Sequence, residues 1–233
     1  MTDEYIDDHT YRPPNKSTGV KYFPARSKSS VRGFGIFEMP AEDHARQIIY
    51  ESDLERKTLL MLCAQTDIWN VHDQPSRIPY TDFSGTKAIH IPDYLAQYKC
   101  GLRVAIAVKP YNRVQKTNFR RTLQAVKKHM SPSFADRLTL VTERNLHPAE
   151  VQNATLLQFC RQHRDQEADR LVAKAVAHLS EETSISDLVQ EVGLNGRGFR
   201  AIFRAIYRGE LIADRQKVIS KSSRVSRPEQ PPC

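Results

Sequence analysis

Glu55, Asp93 and Lys109 stand along the chain in the order acid, acid, lysine, the side-chain types that phosphodiester hydrolysis uses. Carboxylate oxygens hold hard divalent cations such as Mg²⁺, which stabilise charge on a phosphodiester under attack. A lysine near the scissile phosphate can orient the attacking water, help deprotonate it, or neutralise the developing negative charge. Side chains two apart on a strand share a face, so Ala105, Ala107 and Lys109 point the same way. The preceding run ends Ile91-Pro92-Asp93-Tyr94, and a hairpin about Gly101 brings Asp93 beside Ala107-Val108-Lys109. Glu55, from an upstream helix, could supply a second acid to that edge. Taken singly, each residue has a plainer role: a turn Asp after Pro, a solvated Lys at a strand end, an exposed i,i+4 pair with Glu51. Only the ordered set points to a hydrolase. His72 and His90 stand close by in sequence and could act as acid or base, but for both the structural role is preferred.

The elements that must position this set follow from periodicity. A helix is expected from about Ala41 to Gln65, where Leu59 and Leu62 share a face with Glu55 and place that acid at the edge of the core. Three β-rich runs follow, Trp69 to Tyr80, Lys87 to Ala96 and Leu102 to Lys109, separated by Ser84-Gly85 and Lys99-Cys100-Gly101 as turns. They read as an antiparallel meander. A helix over Asn118 to Met130 and a strand over Arg137 to Thr142 then imply a crossover and a mixed sheet, so residues 31–146 form an α/β unit. Residues 147–220 read as helical, with helices over Val151 to His163, Asp165 to Leu179, Ser186 to Val192 and Gly196 to Arg208, and a short strand over Gly209 to Ala213. Helix, turn, helix and strand suggest a winged-helix module.

The last of these helices divides into two faces. Phe199, Ile202, Phe203 and Ile206 form a buried stripe, and Arg197, Arg200, Arg204 and Arg208 a cationic row that could meet phosphates, an acidic protein surface, or only solvent. The whole chain of 233 residues carries 35 Lys and Arg against 27 Asp and Glu, a formal charge of +8 that favours a polyanionic partner. Residues 1–30 and 221–233 lack apolar periodicity and read as a flexible arm and a disordered tail. The acidic start without an apolar segment, and apolar runs too short to span a bilayer, lead to the expectation of a cytoplasmic protein without membrane contact. Cys63, Cys100, Cys160 and Cys233 are scattered without ligand spacing, which argues against zinc and against a disulfide framework.

Over about residues 25 to 215 the sequence resembles the TnsA-type endonucleases of heteromeric cut-and-paste transposons, which have the PD-(D/E)XK restriction-endonuclease-like fold. The matching pieces are Arg32-Gly33-Phe34, Glu51-Ser52-Asp53-Leu54-Glu55, Asp73-Gln74-Pro75, His90-Ile91-Pro92-Asp93-Tyr94, Val104-Ala105-Ile106-Ala107-Val108-Lys109 and Leu140-Val141-Thr142-Glu143-Arg144-Asn145. The resemblance implies that Glu55 and Asp93 bind Mg²⁺, with Mn²⁺ as substitute, that the Val108 carbonyl is a further ligand, and that Lys109 completes the site. It also brings in Gln74, as a catalytic amide or as a structural one holding a strand pair. The partners it implies are double-stranded DNA at transposon ends, a DDE transposase that cuts and joins the 3′ ends, and an AAA+ ATPase regulator met by the helical domain.

One position departs from the family pattern. The residue two before the lysine is ordinarily Glu or Gln and here is Ala107. Water can fill the vacancy, Glu51 can move in, or the site does not cut. The leading expectation is Mg²⁺-dependent cleavage of the 5′ ends by water. The alternatives are an inactive scaffold that binds DNA and protein, and a free-standing restriction or repair nuclease.

Overall fold

Ile48, Ile49 and Tyr50 are β-branched or aromatic, and in Arg46-Gln47-Ile48 burial alternates, a strand pattern set inside the stretch expected to be helical. The computed structural model, which describes residues 12–21 and 31–228, accordingly replaces the helix from Ala41 to Gln65 by two elements. Strand β2 (Arg46–Tyr50) pairs antiparallel with β1 (Gly33–Phe37), and only then does α1 (Asp53–Cys63) begin. Ser52 sets that start: its backbone is extended and its Oγ accepts the Glu55 amide at 3.2 Å. Arg32-Gly33-Phe34 therefore leads into a strand.

Proline divides the expected three-strand meander further. Pro75 and Pro92 end runs that otherwise continue, giving β3 (Ile68–Asp73), β4 (Ile78–Thr81), β5 (Lys87–His90), β6 (Tyr94–Tyr98) and β7 (Arg103–Val108). Strands β4 and β5 form a separate hairpin. The main sheet has the order β3-β6-β7-β8, with β8 at Arg137–Val141. Its first two pairings are antiparallel and β7 to β8 is parallel, so the chain crosses over through α2 (Tyr111–Lys116) and α3 (Phe119–His129) as the helix between strands implied. Gly101 turns β6 into β7 with φ of 88°, a conformation open to glycine.

The two sheet faces bury different sets. Val71, Tyr94, Ala96, Val104 and Ile106 belong to one apolar core with Leu59 and Leu62 of α1 and Leu157 of α4 (Pro148–Gln162). Leu95 and Ala105 pack on the other face with Ala135, Met130 and Leu138. The fold is mixed α/β, as expected.

Beyond α4 come α5 (Gln166–His178), β9 (Thr183–Ser184), α6 (Ile185–Val192), α7 (Asn195–Arg208), β10 (Ile212–Ala213) and β11 (Arg224–Ser226). The three short strands form an antiparallel sheet in the order β10-β11-β9. Strand β11 corrects the expectation of a disordered tail: Val225 is buried between two strands that each needed a neighbour, and residues 229–233 lie outside the described ones. The core continues without interruption from Phe37, Ile48 and Leu59 to Phe203, Ile206 and Val225, so the two halves share one interior.

The expected arm is also tied down where it is described. Asn15 accepts from the Gln47 amide at 2.9 Å and donates to the Ala45 carbonyl at 2.8 Å, and the Val20 amide donates to the Gln74 carbonyl at 3.0 Å. Arg46, only 2% exposed, donates to Thr18, Asn70 and the Val71 carbonyl. Residues 1–11 and 22–30 lie outside the described ones. Among the described residues no helix is long and apolar enough to cross a membrane.

Candidate active site

Asp93 immediately precedes β6, directly after Pro92, and the hairpin through Gly101 lays it against the end of β7. Its amide donates to the Ile106 carbonyl at 2.9 Å, and its Oδ2 accepts the Val108 amide at 2.6 Å. This is the placement of Asp93 beside Val108 expected from the hairpin about Gly101. Gln74, at the end of β3, joins the same point through its backbone, donating its amide to the Asp93 carbonyl at 2.9 Å. Gln74 is buried with φ of 42°, a left-handed backbone held by this bond and by that of Val20. Its backbone thus joins β3, the residue before β6 and the 12–21 segment.

Glu55 comes from the first turn of α1 and is 8% exposed. Its Oε2 accepts the Glu51 amide at 2.7 Å and its Oε1 the Ser52 hydroxyl at 2.8 Å, so the helix start fixes both oxygens. The Tyr94 hydroxyl, buried below, donates to the Glu55 carbonyl at 3.2 Å and locks α1 to β6. Burial raises the pKa of Glu55 above the ordinary carboxylate range. Asp93 is pushed up to about 7, first by burial and then by the nearby Glu55 charge. The structure therefore brings the two acids into one electrostatic unit.

Lys109 shares the sheet face that parity gives Ala105 and Ala107, and its Nζ stands 4.2 Å from the centroid of Phe119 at the start of α3. His90 shares that site, edge-on to Phe119 at 5.9 Å, with its Nε2 buried and unpartnered. Burial, with the Lys109 charge second, lowers the His90 pKa to about 4.

The cation felt by the acids is one the sequence reading missed. Lys21, in the stretch expected to be a flexible arm, pairs with Glu51 and lowers the pKa of both Glu55 and Asp93. No motif marks it. Only the hydrogen bonds that anchor residues 12–21 on β2 and Gln74 carry it there. Asp73, beside Gln74, is fully buried, with Oδ2 accepting from Ser17 at 2.5 Å and from the Ile49 amide at 2.9 Å.

Among the described residues no three His, Cys, Asp or Glu side chains converge as a metal-binding group. The donor set is two carboxylates and backbone carbonyls, with Ala107, 1% exposed, contributing no oxygen. Such a set suits Mg²⁺, which is commonly held by one or two carboxylates with water and substrate phosphate completing its shell. A cleft of about 600 Å³ lies alongside, lined by Asp53, Leu54, Pro110, Glu143 and Leu146, and contains neither Glu55 nor Asp93. Glu143 and Arg144 hold Tyr111: Glu143 accepts its amide at 2.9 Å, and Arg144 lies 3.3 Å from its ring centroid.

The arginine row of α7 is mostly committed within the protein. Arg197 donates to Asp165 at 2.7 Å and to Glu167 at 2.5 Å, and Arg208 to Glu210 at 2.6 Å. Arg204 is 4% exposed, donating to Asp169 at 2.8 Å and to the carbonyls of Cys160 and His163. The expected cationic face is therefore corrected at Arg204, which is buried because it satisfies the carbonyls at the end of α4. Arg200 alone of the four has no described acidic partner. Cys63, Cys100 and Cys160 are free thiols.

Compared with models of known protein families, the chain matches none. Compared with curated proteins, it has no significant match.

Proposed function

We propose that the chain is a Mg²⁺-dependent DNA endonuclease subunit of TnsA type, which cuts the 5′ ends of a transposon beside a DDE transposase. The observation that carries this reading is the convergence of Glu55 and Asp93, two fixed carboxylates from separate elements with pKa values raised by burial, Asp93 also by its neighbour's charge. The sheet order β3-β6-β7-β8, antiparallel and then parallel through two helices, supports a restriction-endonuclease-like core around that edge. The succession α5, β9, α6, α7, β10, β11 with sheet order β10-β11-β9 supports the winged-helix reading of the second half.

In this reading Glu55 and Asp93, with the Val108 carbonyl and water in place of a side chain at Ala107, would hold Mg²⁺. Bound there, the ion supplies charge stabilisation for the attacked phosphodiester. Ser52 and the Glu51 amide orient Glu55, while the Val108 amide orients Asp93. Lys109, on a flexible four-carbon stem, leaves the Phe119 face to meet the phosphate. The attacking water forms the new P–O bond as the bond to the leaving strand breaks, with no covalent enzyme intermediate.

A second reading, a non-cutting scaffold that binds DNA and bridges transposase to the ATPase regulator, is favoured by Ala107 and by the placement of Lys109 over Phe119. Calorimetric titration of Mn²⁺ with a short DNA duplex present separates the two. Metal binding by the native chain that Asp93→Ala abolishes is the expected result. No binding by either protein overturns the nuclease reading in favour of the scaffold.

A further inference from the structure

No acidic residue stands between Lys109 and Asp136, whereas Arg113, Lys116, Arg120, Arg121, Lys127 and Lys128 all do. Helices α2 and α3 carry all six, and each is exposed. Among the described residues none of the six forms an ion pair, in contrast to α7, where three arginines are bound to carboxylates. Two of the six lean on an apolar side chain instead: Arg121 and Lys128 stand 4.8 and 5.2 Å from the ring centroid of Phe83, at the exposed tip of the β4–β5 hairpin.

Arg113, Lys116, Lys127 and Lys128 lie in last turns, where the helix dipole favours positive charge, but the other two cations do not serve their helix. Arg120 and Arg121 occupy the first turn of α3 with no acid there, where the helix dipole disfavours positive charge. The buried side of α3 is supplied by Leu123, Ala125 and Val126, so the charges are not needed to pack it. Arg120 and Lys127, seven residues apart on one side, are separated by about 10 Å along the axis. The row also begins at the site, since Phe119, the first residue of α3, is the ring under Lys109.

We infer that the α2–α3 face, and not the arginine row of α7, binds the phosphate backbone of double-stranded DNA and leads it to the edge that bears Asp93 and Lys109. The inference rests on the nuclease reading above but concerns a different surface, so the two can fail separately. Phosphate contacts position the duplex without reading its sequence, so binding by this face is sequence-independent and falls steeply with salt.

The test is fluorescence anisotropy of a labelled duplex across about 50 to 200 mM salt, using the full chain. Arg120→Gln with Lys127→Gln is compared with Arg170→Gln and Lys174→Gln, exposed α5 positions that lower the net charge equally. The expected result is several-fold weaker binding for the α3 pair, with the log–log salt slope shallower by about 0.9 per lost phosphate contact, and little change for the α5 pair. Equal losses in both variants, or none in the α3 variant while the native chain binds, overturn the inference and leave the nuclease reading standing. Absence of duplex binding by the native chain overturns both. Melting curves of the variants confirm that each is folded, which the exposed positions favour.

Discussion

The amide of Val108 donates to Oδ2 of Asp93 at 2.6 Å across the β6–β7 hairpin. This bond fixes one carboxylate oxygen at the sheet edge, yet it does not compensate the acid. Burial and the Glu55 charge outweigh it and leave Asp93 with a pKa of about 7. The pair is held together by α1 and the hairpin against its own repulsion, a condition that a bound divalent cation would relieve.

Asp93→Asn should therefore stabilise the metal-free protein. A carboxyl whose pKa is raised on folding takes up protons as the chain folds, so the contribution of Asp93 to stability is greatest in acid and declines as pH rises from about 4 towards about 7. Asn does not titrate and keeps an oxygen to accept the Val108 amide. In chelator the variant should melt higher than the native chain above pH 7, by a gain on the order of 2 kcal/mol, and the difference should shrink towards pH 4.5. Parallel melting curves across that range would show that Asp93 is not strained. Added Mg²⁺ should raise the native melting temperature and leave the variant's unchanged.

Lys21 offers a second handle on the same charges. Its ammonium pairs with Glu51 and lowers the pKa of Glu55 and Asp93, so it competes with any cation bound there. Lys21→Met should tighten Mn²⁺ binding several-fold in calorimetry at low salt. It should also cost the metal-free protein up to about 1 kcal/mol, an effect lost in high salt. Unchanged Mn²⁺ affinity would place the cation away from Glu51.

The sequence made the Asp93–Val108 contact legible because a hairpin about a glycine turn determines it locally. A two-residue period placed Lys109 with Ala105 and Ala107, but it cannot say that this face looks onto Phe119 and His90, which depends on where α3 docks. The helix over Ala41 to Gln65 failed because the Leu59 and Leu62 spacing was extended upstream over Ile48-Ile49-Tyr50, whose strand pairs with β1 through contacts a local window does not contain. Lys21 and β11 were missed for a related reason. Polar, proline-containing segments show no apolar period, yet each is held by hydrogen bonds to an edge formed elsewhere in the chain. On α7 the stripe was legible and the arginine row was not, since Asp165 and Asp169 lie a helix away in sequence.

His90 should make the fold sensitive to acid. Its pKa falls to about 4 on folding because the ring is buried and Lys109 stands near. The unfolded chain therefore binds more protons between about pH 4 and 6.5, and stability contributed by the neutral ring is lost as pH falls through that window. His90→Phe keeps a ring against Phe119 and removes the unpartnered Nε2. Its melting temperature should exceed the native value most at pH 5 and least at pH 8. An equal difference at both would mean that His90 acts only through packing.

Arg204 and Arg200 differ by one helical turn and should differ widely in effect. Arg204 is buried, donates to Asp169 at 2.8 Å and to the carbonyls of Cys160 and His163, so Arg204→Met takes a charged donor from all three, although Asp169 keeps Arg208 at 3.6 Å and the Cys160 carbonyl keeps the His163 amide. Breaking such a buried pair costs about 3–5 kcal/mol, and because Asp169 keeps part of its solvent contact the lower end applies. Arg200→Gln, with no described partner to lose, should stay within about 0.5 kcal/mol. Urea denaturation of both variants reads this directly. If Arg204→Met unfolds at the native midpoint, the arginine is not part of the interior, and the outward, partner-binding role first expected for the α7 row regains its support.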